Sequence, residues 1–294
     1  DTFNAGFGAT SNTYLGTNAG SGSTTGTDNV AIGDAAGDAL TTASGNTAVG
    51  KDALTTNLTG GDNVAIGKKA LKDNTGNYNV AVGKDALEAN TSGVNNVAIG
   101  HRTLETNLTG TDNVAIGYLA LDDQDVSGGD STAANSDHNV AIGSEAMGGT
   151  WTALKSEQNV AIGSGAMGGP MSGSNYNVAI GKSAMAAVTS ADQCIAIGKE
   201  ALTAVNTGGN NTAIGYQAGA SITTGDQNTL IGYLAGDGFD TESQNTFIGA
   251  GAGGGGINGA DACVAIGKDA LAGACTVDGI VAVGKDALAA LTSG

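Results

Sequence analysis

The sequence predicts an all-β fold, a parallel β-solenoid of the β-roll or β-helix kind with about sixteen coils. The pentapeptide Asn-Val-Ala-Ile-Gly and close variants recur about every seventeen residues along the 294-residue chain. β-Branched and aliphatic residues flank the alanine of each copy, and a loop rich in Thr, Asn and Gly separates successive copies. A fixed period of this size is typical of stacked structural units rather than of one globular core. No boundary interrupts the repeat, so residues 1–294 are predicted to form a single continuous solenoid.

The pentapeptide is predicted to be the strand of each coil. Positions are counted from the glycine that ends each copy, the anchor glycine, which is at residue 16, 33, 50, 67, 83, 100, 117, 143, 163, 181, 198, 215, 232, 249, 267 or 284. The branched residues at positions −3 and −1 share one face of a strand, and Asn at −4 and Ala at −2 share the other. Because Val and Ile are the more apolar set, we expect them to form a thin core. The alanines then point outward, as an apolar lateral seam between rods or as small residues on a crowded surface; the seam residues are Ala65, Ala81, Ala98 and Ala115.

The remainder of each coil is predicted to be a glycine turn, a short second strand and a polar turn. Ala follows the anchor glycine by three residues in nearly every copy, and Leu, Met or Gly by four. Seventeen residues are too few for a strand, a crossover helix and a parallel partner. Stacked coils place identical residues in ladders, and the Asn amides are expected to hydrogen-bond along theirs. The anchor glycine is expected to take a turn conformation closed to other residues.

Composition excludes several classes of protein. The 51 glycines accompany a single proline, which rules out a collagen helix. A net charge of −17 disfavours nucleic-acid binding, and no run of eighteen apolar residues predicts a membrane span. The N-terminus does not have the pattern of a signal peptide, so we expect a processed product or a fragment.

The pentapeptide followed by Ala resembles the head repeats of trimeric autotransporter adhesins, which are left-handed parallel β-rolls. The longer run Asn211–Gly219, followed by Thr223–Gly225, is similar to repeats of phage tail-fibre proteins and of bacterial surface proteins with a self-cleaving chaperone. The likeness covers nearly the whole chain, although adhesin heads usually have shorter repeats. It implies a parallel homo-oligomer such as a trimer, placed outside the cell, on its surface or in a virion fibre.

The two ends predict a way for copies to join. No cap is evident, and residues 4–8 resemble the pentapeptide that is missing after the last copy. We therefore expect either head-to-tail stacking of chains or a fragment of a longer solenoid. The residues expected at the subunit contact are Asp1, Phe3, Asn4, Phe7, Leu288 and Leu291.

Two insertions, at about 121–138 and 148–158, interrupt the period. The first is rich in carboxylates and is interpreted as a solvated loop or as a weak Ca²⁺ site; the candidate ligands are Asp122, Asp123, Asp125 and Asp130. The second contains Trp151, which either forms a contact knob or covers a gap in the core. No other cofactor is expected.

Catalysis is not expected. His101 and His138 occupy different positions of the repeat and match no triad or metal-ligand spacing. Cys194 and Cys263 replace the ladder Asn, while a Cys263–Cys275 disulfide and buried free thiols both remain open. The sequence thus favours a structural protein of an extracellular filament or surface fibre. The alternatives are a phage tail-fibre shaft, an adhesin region that binds a cell surface, and an ice-binding solenoid.

Overall fold

The computed structural model describes residues 3–5, for the backbone alone, and residues 11–122, 136–151, 154–256 and 259–291. It divides into two compact units, unit 1 (Asp1–Lys155) and unit 2 (Ser156–Gly294). Each unit is a parallel β-solenoid with one three-residue strand per coil, so the predicted fold class and the period of about seventeen residues are confirmed.

The strands of unit 1 are β1 (Phe3–Ala5), β2 (Thr13–Leu15), β3 (Val30–Ile32), β4 (Thr47–Val49), β5 (Val64–Ile66), β6 (Val80–Val82), β7 (Val97–Ile99), β8 (Val114–Ile116) and β9 (Val140–Ile142). The strands of unit 2 are β10 (Val160–Ile162), β11 (Val178–Ile180), β12 (Ile195–Ile197), β13 (Thr212–Ile214), β14 (Thr229–Ile231), β15 (Thr246–Ile248), β16 (Val264–Ile266) and β17 (Val281–Val283).

Successive coils stack in strict register. Ala31 of β3 lies opposite Ala48 of β4, and the same position pairs with itself from coil to coil within each unit. The exception is β1, which runs antiparallel along β2 and places Asn4 opposite Tyr14. A parallel strand added at this edge of β2 would therefore compete with β1.

The predicted second strand is wrong. The described residues after each anchor glycine form turns, because positions +2 and +4 adopt left-handed backbone angles, as at Asp52 (φ 56°) and Leu54 (φ 52°). Such angles cannot continue an extended strand. The turns of successive coils are still joined by backbone hydrogen bonds, since the Asp52 N–H donates to the Asp34 carbonyl at 2.9 Å.

The predicted orientation of the strand is also wrong. Ala65, Ala81, Ala98 and Ala115, the expected lateral seam, are fully buried, whereas the residues at −3 and −1 are half-buried or exposed. The turn residue at +4, such as Leu71, is fully buried in the same interior. A seventeen-residue coil leaves little room between its walls, so the strand supplies a methyl group and the turn supplies the larger side chain.

Coils with a larger strand residue show that the strand and the turn share the limited space of the interior. Where Leu230 or Phe247 replaces the buried alanine, the residue at +4 is Gly236 or Gly253. A Cβ on Gly253 would lie 2.2 Å from Cδ2 of Phe247, and one on Gly236 would lie 2.7 Å from Cδ2 of Leu230. A large residue on the strand is therefore accompanied by glycine in the turn. Where both are small, as at Ala31 and Gly37, Leu40 fills the space, since a Cβ on Gly37 would lie 2.6 Å from its Cδ1.

The predicted Asn ladder is confirmed. The amide of Asn63 donates to Oδ1 of Asn46 at 3.1 Å and to the Gly76 carbonyl at 2.9 Å. Its own Oδ1 accepts the backbone N–H of Asn79 at 2.8 Å. The ladder thus hydrogen-bonds buried backbone groups of the neighbouring turn and of the next coil. Without these partners, the buried groups would destabilise the fold.

A second buried Asn joins the ladder in four consecutive coils. In the first of these coils, Asn46 and Asn57 both donate to the Gly60 carbonyl, at 3.0 and 2.7 Å. We call this the paired-donor arrangement, and it recurs for Asn63 with Asn74, Asn79 with Asn90, and Asn96 with Asn107.

Candidate functional site

The most prominent surface feature of each unit is the outer strand face, the two columns at positions −3 and −1. In unit 1, Ile32, Ile66 and Ile99 are 38–40% exposed. The exposed isoleucines of the same column in unit 2 are Ile162, Ile180, Ile197, Ile214, Ile248 and Ile266. Since coils stack in register, these side chains form a continuous aliphatic surface in each unit.

Charged columns border this face in unit 1. Position +1 carries the exposed lysines Lys51, Lys68 and Lys84 along one edge, and position −5 carries the exposed carboxylates Asp28, Asp62 and Asp112 along the other. Lys51 is ion-paired with Asp34 of the preceding coil, and Lys84 with Asp85 at 2.5 Å. Asp34 stands in the +1 column itself, so three lysines and one aspartate lie along that edge, whereas three aspartates lie along the other.

Unit 2 repeats this polarity. Its lysines at +1 are Lys182, Lys199, Lys268 and Lys285, and its carboxylates at −6 are Asp192, Asp226, Asp261 and Asp278. These carboxylates are fixed by the backbone, since Oδ1 of Asp192 accepts the N–H of Asn175 at 2.6 Å and Oδ1 of Asp226 accepts that of Gly209 at 2.5 Å.

The structure brings together a different set of acids from the predicted Ca²⁺ candidates. Carboxylate oxygens of Asp85, Glu88 and Glu105 lie within 4.8 Å of one another. Of the predicted ligands, Asp122 places Oδ2 3.8 Å from Nη2 of Arg102. Asp123, Asp125 and Asp130 lie outside the described residues.

Basic side chains neutralise this acidic cluster. Lys84 pairs with Asp85, Lys69 with Glu88 at 3.0 Å, and Arg102 with Glu105. Burial opposes ionisation of Asp85, but its hydrogen bond to Lys84 and the charges of Lys84 and Lys69 outweigh burial and lower its pKa. The arrangement is an ion-pair network that joins neighbouring coils.

The structure also shows the contacts of the single tryptophan and the two histidines. Trp151 is fully buried and donates its Nε1–H to the Met147 carbonyl at 3.3 Å, so it covers the core. His101 stacks on Tyr118 at 5.7 Å, whereas Nε2 of His138 lies 3.6 Å from Asp112.

The residues expected at the subunit contact lie in both units. Phe3 and Asn4 belong to β1, Leu288 is exposed and Leu291 is half-buried. Asp1 and Phe7 lie outside the described residues.

All three cysteines are buried free thiols. Burial raises the pKa of Cys194 to about 11. Cys194 and Cys263 keep part of the ladder, because their backbone N–H groups donate to Oδ1 of Asn177 and Asn245, both at 2.9 Å.

Neither a protein-family model nor a curated protein matches this chain. Among the described residues, no helix has the length and apolar character needed to cross a membrane.

Proposed function

We propose that this protein is a structural subunit of an extracellular filament or surface fibre, in which solenoids associate side by side through their outer strand faces. The observation that carries the proposal is the continuous column of aliphatic residues at position −1 of each unit, all of them half-buried or exposed. In a solenoid that stays monomeric in water, polar side chains would be expected at these solvent-facing strand positions.

The size of the face supports association. Eight parallel strands of three residues in unit 1 give a surface of roughly 10 by 35 Å, or about 350 Å². Contiguous apolar patches of this size often mark interaction sites. Stacking at a common repeat also lets the side chains of two copies interdigitate coil by coil.

The charged edges support a parallel alignment of copies. When two outer strand faces meet with their coil axes parallel, their strands run in opposite directions across the interface. The lysine edge of one copy, at Lys68, then meets the aspartate edge of the other, at Asp62. With the axes antiparallel, lysine would face lysine, so complementarity favours the parallel form.

A face that meets its own copy in this way closes as a parallel pair, so a parallel trimer, a tail-fibre shaft and an adhesin region are alternatives to this arrangement. Head-to-tail stacking remains a further proposal, and it would require a second copy to replace β1 along β2.

The test is sedimentation velocity of the wild-type chain and of the double variant Ile66→Lys/Ile99→Lys over a range of concentrations. Two lysines within the apolar face would have to lose water on association, so we expect at least a tenfold weaker assembly, on the order of 1.4 kcal/mol or more.

The matched control is Leu58→Lys, which changes an exposed leucine in a loop away from the strand face. It should assemble like the wild type, and circular dichroism should show all three proteins folded. A wild-type chain that stays monomeric at high concentration, or a double variant that assembles as well as the control, would overturn the proposal.

A further inference from the structure

Cys263 and Cys275 occupy the two donor positions of one coil. Sγ of Cys263 lies 3.6 Å from the Val277 carbonyl oxygen, and Sγ of Cys275 lies 3.4 Å from the same oxygen. This is the paired-donor arrangement of Asn46 and Asn57, with thiols in place of amides. The shared acceptor draws both sulfur atoms to one point in the interior.

We propose that Cys263 and Cys275 are a disulfide-forming pair that locks the coil between β16 and β17. The bond would join the residue that precedes β16 to the turn that follows it. Both thiols are fully buried, so the bond would lie inside the coil once the coil has closed. This inference does not depend on the proposed assembly.

The electrostatics of the pair agree with the geometry. Burial raises the pKa of Cys263, and the charge and hydrogen bond of the Cys275 thiol raise it further. The two sulfur atoms therefore interact directly, and Cys263 does not ionise readily while the coil is closed. Thiolate attack consequently requires the coil to be open, during folding or local unfolding.

The reaction requires an oxidant, for which a small-molecule disulfide such as oxidised glutathione serves. The thiolate of one cysteine attacks the reagent and forms a mixed disulfide with loss of one reduced thiol. The second cysteine attacks this intermediate, forms the Sγ–Sγ bond and releases the second reduced thiol. Two S–H bonds break in the protein, and two electrons and two protons pass to the reagent.

Cys194 is a built-in control. It occupies the same ladder position as Cys263, and its Sγ lies 3.4 Å from the Gly208 carbonyl. The coil of Cys194 has the buried Val205 in place of a second cysteine. Cys194 therefore matches Cys263 in burial and backbone contacts and lacks only the partner thiol.

The experiment is to refold the chain in a mixture of reduced and oxidised glutathione, quench the thiols with an alkylating reagent, and measure intact mass and peptide maps. We expect the product to lose the mass of two hydrogen atoms, to carry one alkylated cysteine at Cys194, and to contain a peptide in which Cys263 is joined to Cys275. Cys194→Ala should form the same bond, whereas Cys275→Ala should not.

A second measurement covers the case in which a variant folds poorly. Thermal melting of the oxidised wild-type chain is compared with and without a reducing agent, and reduction should lower the melting temperature. A folded product with three alkylated cysteines would overturn the proposal. So would a product in which Cys194 is found in disulfide-linked peptides as often as Cys263.

Discussion

At the scale of the residue, the anchor glycine meets two separate requirements. Gly67 has φ +134°, which L-residues with a side chain rarely adopt. A Cβ on Gly67 would also lie 2.3 Å from the Gly83 carbonyl oxygen of the next coil. Gly284 shares the backbone conformation, at φ +122°, but a Cβ there would meet nothing within 4 Å. The two positions therefore separate backbone strain from steric conflict.

We predict that Gly67→Ala destabilises the fold by about 3 kcal/mol or more, and Gly284→Ala by roughly 1–2 kcal/mol. The first substitution combines strain with a clash between coils, whereas the second causes strain alone. Denaturant unfolding followed by circular dichroism gives both values. Equal losses would show that the contact between successive anchor glycines is unimportant.

At the scale of the coil, the buried volume is shared between the strand and the turn. The strand and the turn residue lie six positions apart, and a large residue stands at one of them at most, as Ala65 with Leu71 and Phe247 with Gly253 show. A coil thus tolerates a large residue on either wall but not on both.

We predict that Ala65→Leu costs about 1–3 kcal/mol by overpacking and that adding Leu71→Gly recovers most of this loss. The double variant reproduces the Leu230 and Gly236 pair of unit 2, and Gly also suits the left-handed φ of 49° at Leu71. Chemical denaturation of the four members of the cycle measures the coupling. Additive losses would contradict the shared-volume account.

The sequence alone predicts the fold class, the period and the Asn ladder, because these follow from spacing. The prediction of the two strand faces was wrong, because hydrophobicity alone places Val and Ile inside. In the structure, the narrow interior takes Ala from most strands and the larger side chain from the turn. The pairing of Leu230 with Gly236 was the available signal for the correct assignment. The left-handed turns at Asp52 and Leu54 were not predictable, because neither residue type is diagnostic of that conformation.

The acidic cluster of Asp85, Glu88 and Glu105 could be predicted from the sequence only in part. Glu88 and Glu105 share one column and lie seventeen residues apart, so a comparison of columns would have placed them together. Their cationic partners Lys69 and Arg102 each stand at position +2 of a coil, and these coils are separated by that of Gly83. The pairing depends on side-chain reach that spacing does not give.

At the scale of the whole molecule, the charged borders of the outer strand face bear on how copies align. In a parallel assembly each coil of unit 1 faces the same coil of its neighbour. We predict that Ile32→Cys and Ile99→Cys each cross-link efficiently to an identical chain under mild oxidation, whereas a mixture of the two variants gives little heterologous product. The native thiols are buried and should not interfere.

Non-reducing gel electrophoresis and peptide mapping identify these cross-links, with Leu58→Cys as the control for random collision. An antiparallel assembly allows self-linking only near its two-fold axis, so cross-linking at just one of the two positions would contradict the parallel arrangement.

The backbone hydrogen bonds between coils have a mechanical consequence. Bonds such as that from the Gly67 N–H to the Val49 carbonyl run along the direction of stacking. Tension applied in that direction loads them in series, so coils would peel away one after another at low force. A side-by-side bundle would share that tension among several chains, which makes lateral contact a source of tensile strength that a lone solenoid lacks.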